Sequence, residues 1–152
     1  MVPSRTLATV GVVALLSAAL VGCGSSDGTS SDKKLTAAQF RTQANKLCAD
    51  ADKDTESFGS SISESSSDSD VTEAIDKTVA RNDKLVNDID ALNAPSDLAD
   101  DVDSMLDSVR DALKVLDKIT SVQDLVTASK GADPFAEVNT KAKALGLDTC
   151  AD

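Results

Sequence analysis

The side chains with chemistry to offer are three cysteines, 26 acids, 15 bases and many serines, while histidine is absent altogether. That absence removes the commonest general base and the commonest metal ligand together. A serine, lysine or cysteine nucleophile needs a placed base beside it. No glycine-rich phosphate loop, thioredoxin-like cysteine pair or zinc-ligand spacing occurs in the chain. The sequence therefore assigns no catalytic, cofactor-binding or metal-ligating residue, and the expectation is a protein that is not an enzyme. Two acid clusters invite a closer look. Asp50, Asp52, Asp54 and Glu56 alternate like calcium-loop ligands, but Thr55 and Ser61 stand where such a loop needs glycine and glutamate. Asp97, Asp100, Asp101, Asp103, Asp107 and Asp111 fall largely along one side of a helical stretch. They read as a solvated face matched to the helix dipole, with a weak cation-binding or basic-partner surface as the alternative.

Composition narrows the field further. A chain of 152 residues allows one domain, and its net charge of −11 argues against nucleic acid and against adsorption to an anionic surface. Three phenylalanines with no tryptophan or tyrosine leave almost no aromatic material for base stacking.

Residues 1–22 read as an address. Arg5 near the amino terminus precedes an uncharged, mostly apolar run from Leu7 to Val21. That run is short for a spanning helix, which needs about 20 residues, but suits the core of a secretory signal. It ends in Leu20-Val21-Gly22-Cys23, which resembles the lipobox of bacterial lipoproteins. The resemblance implies a diacylglyceryl thioether on Cys23 and removal of the peptide before it. Each buried methylene contributes about 0.8 kcal/mol, and two acyl chains hold stably where one holds only reversibly. Cleavage would discard Arg5 and no acid, leaving the remainder one charge more negative. With Cys23 taken, Cys48 and Cys150 remain, and outside the cytoplasm an even pair suggests a disulfide. Residues 23–34, glycine- and serine-rich after the cysteine, form a flexible tether with a root-mean-square reach of about 20 Å.

Residues 35–152 read as helical throughout. Thr36 with Gln39 fits a capping box ahead of an apolar stripe of Ala37, Phe40, Ala44, Leu47, Cys48 and Ala51. The serine-rich stretch Ser57–Ser69 suits a loop. Asp70 with Glu73 opens a second helix carrying Val71, Ile75, Val79, Leu85, Val86, Ile89 and Leu92, which Pro95 ends. Ser96 is the expected cap of a third, whose stripe runs Leu98, Val102, Met105, Val109, Leu113, Leu116 and Ile119. Ser121 with Asp124 starts a fourth segment bearing Val122, Leu125 and Val126, interrupted at Lys130-Gly131-Ala132. Asp133-Pro134 is expected to restart it as N-cap and first-turn proline, with Phe135, Val138, Ala142 and Leu145 inward and Gly146 as a left-handed stop. The fold expected is all-α: an up-down four-helix bundle with its last helix broken near Gly131 and one disulfide. For that bridge to close, Leu147-Asp148-Thr149-Cys150 must turn back along the first helix, with Leu147 packing on it.

Phe40-x-x-x-Ala44-x-x-x-Cys48, Ala91-Leu92-x-x-Pro95 and Gly146-Leu147-x-x-Cys150 together resemble the small secreted or lipid-anchored helical proteins of actinobacteria. The resemblance covers nearly all of residues 35–152 and rests on structural marks. It implies the outer face of a Gram-positive cell membrane and supplies no functional residues. Many such relatives have two prolines at the turn where Asn93-Ala94-Pro95 has one. The function favoured is a tethered, non-enzymatic interaction module that meets an envelope partner; the alternative is a carrier with an apolar pocket inside the bundle. Small core residues such as Ala37, Ala44, Ala51 and Ala142 serve either a pocket or close helix packing. A filled core with no cavity of about 300 Å³ would exclude the carrier.

Overall fold

The computed structural model of the chain describes residues 35–63 and 65–151. The expected signal segment 1–22, the lipid-bearing Cys23 and the tether 23–34 lie outside the described residues. The described part is helical, with five α-helices, a 3₁₀ turn and no strand among those residues: α1 (Ala37–Gly59), α2 (Asp68–Asp90), α3 (Ala99–Leu116), α4 (Val122–Ala128), α5 (Ala136–Leu145) and the turn Asp148–Ala151. Helix α1 packs on α2, α2 on α3, and α3 on α5; the 3₁₀ turn lies against both α5 and α1, while α4 touches α2.

Helix α1 starts as its sequence dictates. The Gln39 amide donates to the Thr36 hydroxyl at 3.3 Å, and the Thr36 amide donates to the Gln39 side-chain oxygen at 3.0 Å. Phe40, Ala44, Cys48 and Ala51 recur every three or four residues, and all four are buried. The helix persists through Ser57 to Gly59, so the loop is shorter than the serine content suggested. Its far end differs as well. Ser67, not Asp70, caps α2: the Asp70 amide donates to the Ser67 hydroxyl and the Ser67 amide to the Asp70 carboxylate. Ser-x-x-Asp closes the same reciprocal ring as Asp-x-x-Glu, and the earlier ring adds almost a turn of helix.

The α2–α3 turn also departs from expectation. Asn93 sits at φ 53°, in the left-handed region that asparagine tolerates because its short amide bonds locally; here that amide donates to the Ala91 carbonyl at 3.0 Å. Asn93 therefore turns the chain before Pro95 is reached. Ser96 does not cap α3, because the Leu98 amide closes a turn onto the Pro95 carbonyl at 2.9 Å and the helix begins only afterwards. Helix α3 buries Val102, Met105, Leu106, Val109, Ala112 and Leu113, with Asp100 and Asp101 in its first turn and Lys114 in its last.

Ser121 caps α4 as expected, accepting from the Asp124 amide at 3.1 Å. The helix is only seven residues long and buries none of them, and Val126 faces outward. The α2 amino end holds it in place: Asp68 accepts from the Val122 amide at 2.9 Å, and Thr72 donates to the Thr120 carbonyl at 3.1 Å. Asp133 and Pro134 form a turn ahead of α5 and not its first turn. The Ala136 amide closes onto the Asp133 carbonyl, and the Phe135 amide donates to the Asp133 carboxylate at 2.8 Å. Proline fits the second position of such a turn, since its ring already fixes φ near −65°. Val138, Ala142 and Leu145 then point inward.

Candidate functional site

The carboxyl-terminal tail is positioned by Gly146, at φ 72° and ψ 31°, whose neighbour Leu147 donates back to the Ala142 carbonyl at 2.8 Å. This left-handed stop reverses the chain. The reversed tail then follows one face of α1. Arg41 Nε donates to the Leu145 carbonyl at 2.6 Å. Asn45 donates to the Gly146 carbonyl at 3.2 Å and accepts from the Thr149 amide at 3.0 Å. Cys48 is disulfide-bonded to Cys150, their Cα atoms 5.1 Å apart and 102 positions apart in sequence. Residues 41, 45 and 48 lie on successive turns of α1, so each step along the tail meets the next turn of the helix. Leu147 is fully buried, in the core shared with Phe40 and Ala44. The expected pair Cys48 and Cys150 is thus joined, and Arg41 and Asn45 hold the tail on either side of the reversal. Sequence reasoning missed those two residues. Arg41 and Asn45 flank the apolar stripe at a spacing of four, which also describes a solvated helix edge.

Above the bridge, the bundle is not filled. A cavity of about 230 Å³ opens beside Cys48 and Cys150. Met105, Leu106 and Val109 of α3 and Leu85, Val86 and Ile89 of α2 form its apolar walls. It is bordered by Phe135, Val138 and Asn139 at the amino end of α5, and by Asp52 and Thr55 one and two turns past Cys48 on α1. Ten residues of α5 span about 15 Å, whereas the 23 residues of α1 span about 34 Å. The first helix therefore runs on past the level at which α5 begins. Thr78 and Asn82 complete a polar edge on α2.

A second, more open depression lies along α3 and α5, with a volume of about 610 Å³. Asp100, Asp103, Asp107 and Asp111 border it from α3 and Glu137 from α5; of the expected acidic stripe, Asp97 and Asp101 do not. Basic side chains already answer part of this charge. Arg110 pairs with Asp107 and Lys114 with Asp111, each at 2.8 Å. Lys141 pairs with Glu137 of its own helix and reaches across to donate to the Ser108 hydroxyl of α3, both at 2.8 Å. The Lys114 ammonium bonded to Asp111 holds that carboxyl below its usual range, and Lys141 does the same for Glu137.

The alternating acids of α1 do not converge. Successive members two residues apart on a helix point about 200° apart around its axis. Asp50 pairs with Lys46 and Lys53, Asp54 pairs with Arg81 of α2, and Asp52 borders the cavity. Among the described residues no group of three or more histidine, cysteine or acidic side chains is arranged to hold a metal ion, and no helix is long and apolar enough to cross a membrane. Comparison with protein-family models, with curated proteins and with solved structures finds no match to this chain.

Proposed function

We propose that this chain is a non-enzymatic, lipid-anchored extracytoplasmic protein, held by Cys23 at the outer face of the cell membrane, whose helical domain carries a small apolar ligand. The observation that supports the carrier reading is the cavity of about 230 Å³ between α1, α2, α3 and α5. An apolar cavity of about 150 Å³ suffices to bind benzene, and most drug-sized sites begin at about 300 Å³. The cavity falls short of the roughly 300 Å³ set above for a carrier, which narrows the reading to an occupant smaller than a drug-sized molecule. Reading α1, α2, α3 and α5 as the four legs of an up-down bundle belongs to the same proposal. The packing of each on the next, and the tail returning to α1, support it.

The interaction module that the sequence first favoured draws less support from the surface. Val115 and Val126 are the exposed large apolar side chains among the described residues, and they stand on different helices. Two such side chains do not by themselves make a broad apolar patch.

Titration with ethylbenzene tests the carrier. The methyl resonance of Met105, which is 1% exposed and lines the cavity, should shift saturably. Val109→Phe, which fills the cavity, should abolish that shift while the helical signal stays. An unmoved Met105 methyl would overturn the carrier. Mass spectrometry of the membrane fraction tests the anchor: a lipid adduct on wild-type protein should vanish in Cys23→Ala, and an unmodified wild-type terminus would refute it.

A further inference from the structure

The disulfide and the cavity share residues. Cys48 of α1 and Cys150 of the tail both line the opening between the helices, and the two are joined by the one bridge. They are not held alike. Cys48 sits in the middle of a 23-residue helix and is 2% exposed, so α1 keeps it in place whether or not its sulfur is bonded. Cys150 is half-buried and belongs to the last turn of the tail, Asp148–Ala151. The clasp from α1 ends one residue earlier: Arg41 holds Leu145, and Asn45 holds Gly146 and Thr149. Cys150 itself is fixed by the bridge, by the bond from its amide to the Leu147 carbonyl at 2.9 Å, and by the buried methyl of Ala151 beside it. Only the first of these ties it covalently to α1. Once reduced, its thiol keeps a weak donor toward the Ala44 carbonyl, 3.9 Å away.

We infer that the bridge is a redox catch on the cavity: the closed disulfide fixes a wall against which a small apolar occupant packs, and reduction frees that wall and weakens the occupant's hold. The inference rests on the reading that the cavity is a ligand site. The reductant is a dithiol. It gives up two electrons and two protons, the S–S bond breaks, Cys48 and Cys150 become thiols, and the dithiol closes to a cyclic disulfide. An apolar occupant gains from close contact on every side, and a wall free to move forfeits part of that contact. Binding and reduction are then linked in both directions. If reduction weakens binding by some factor, occupancy disfavours reduction by the same factor. On the anchored reading, the domain holds its cargo while oxidised and gives it up where a dithiol reaches it.

Ethylbenzene titrated into the full chain, oxidised and then reduced with dithiothreitol, tests the catch on the Met105 methyl. Sucrose, which favours the compact chain, is present throughout, and helical circular dichroism reports that the reduced domain is folded. Oxidised protein should bind at least about fivefold more tightly than reduced protein. Saturating ethylbenzene should shift the equilibrium between dithiothreitol and the bridge toward the protein disulfide by the same factor. Cys150→Ser without reductant should bind as weakly as the reduced wild type, which separates loss of the bridge from any effect of dithiothreitol. Equal or tighter binding by the reduced chain, oxidised wild-type affinity in Cys150→Ser, or loss of the helical signal on reduction would overturn the catch and leave the carrier standing. An unmoved Met105 methyl in the oxidised chain would overturn both.

Discussion

The bridge between Cys48 and Cys150 closes a loop across 102 positions of sequence, and its removal gives the sharpest test of how this small domain is stabilised. Closing a loop of about 100 residues restricts the denatured chain by about 4.7 kcal/mol in the chain-entropy account. Domains of this kind have total stabilities of about 5–15 kcal/mol, so the bridge supplies a large share. Reducing the wild-type protein is the cleanest perturbation, because both sulfur atoms stay and no core volume is lost. The folded tail keeps its other attachments: the Arg41 bond to Leu145, the two Asn45 bonds to Gly146 and Thr149, and the burial of Leu147. Reduced protein should therefore retain its helical circular dichroism in buffer yet unfold far earlier in urea. At a slope of about 1.5 kcal/mol per molar urea, the midpoint should fall by roughly 3 M. A fall below about 0.5 M would refute the reasoning. It would mean that the unfolded chain already keeps its ends close, or that the bridge strains the native tail by nearly as much as it restricts the denatured one.

Three further outcomes follow from single positions. Phe40 is fully buried, so Phe40→Ala should cost about 3–5 kcal/mol in urea unfolding; a loss under about 1 kcal/mol would show that the core collapses around the gap. Gly146→Ala should cost about 1–2 kcal/mol for the left-handed backbone, and also displace Arg41, since the added carbon would sit 3.1 Å from its Nε; an unchanged midpoint would contradict both. The Ser67 hydroxyl and amide hold the Asp70 carboxyl below its usual range, and the Ser121 hydroxyl and Thr120 amide do so for Asp124. With folded values below unfolded ones, the stabilisation is present above the unfolded carboxylate range near pH 4 and lost as pH falls through the folded values. Ser67→Ala should raise the Asp70 titration midpoint, followed by nuclear magnetic resonance, and an unmoved midpoint would assign the shift to another cause.

How much of this was legible in advance depends on how far each interaction reaches. Helical periodicity exposed the inward faces of α1 and α3 because residues three and four apart are neighbours on any helix. The Thr36–Gln39 ring and the Ser121 cap were readable for the same reason, since both partners lie within one turn. Errors arose where two local solutions competed. Ser67-x-x-Asp70 displaced Asp70-x-x-Glu73, and the Pro95–Leu98 turn displaced a cap at Ser96. Asp133 bonds the Phe135 amide in a turn, where a helix cap was expected. Each alternative satisfies a similar number of backbone amides, so a window of four residues does not choose between them.

The helical class, the inward stripes and the reversal at Gly146 were legible from the chain alone, and the pairing of Cys48 with Cys150 was expected once Cys23 was set aside as the lipid-bearing residue. Those follow from backbone stereochemistry, periodicity and cysteine arithmetic, which need no knowledge of neighbours in space. That Arg41 and Asn45 clasp the returning tail, and that a cavity stays open beside the bridge, emerges only when the helices pack. A clasp joins groups more than 100 positions apart, and a cavity is volume that several helices together fail to fill. Both depend on how the helices meet, and no short window of sequence contains that.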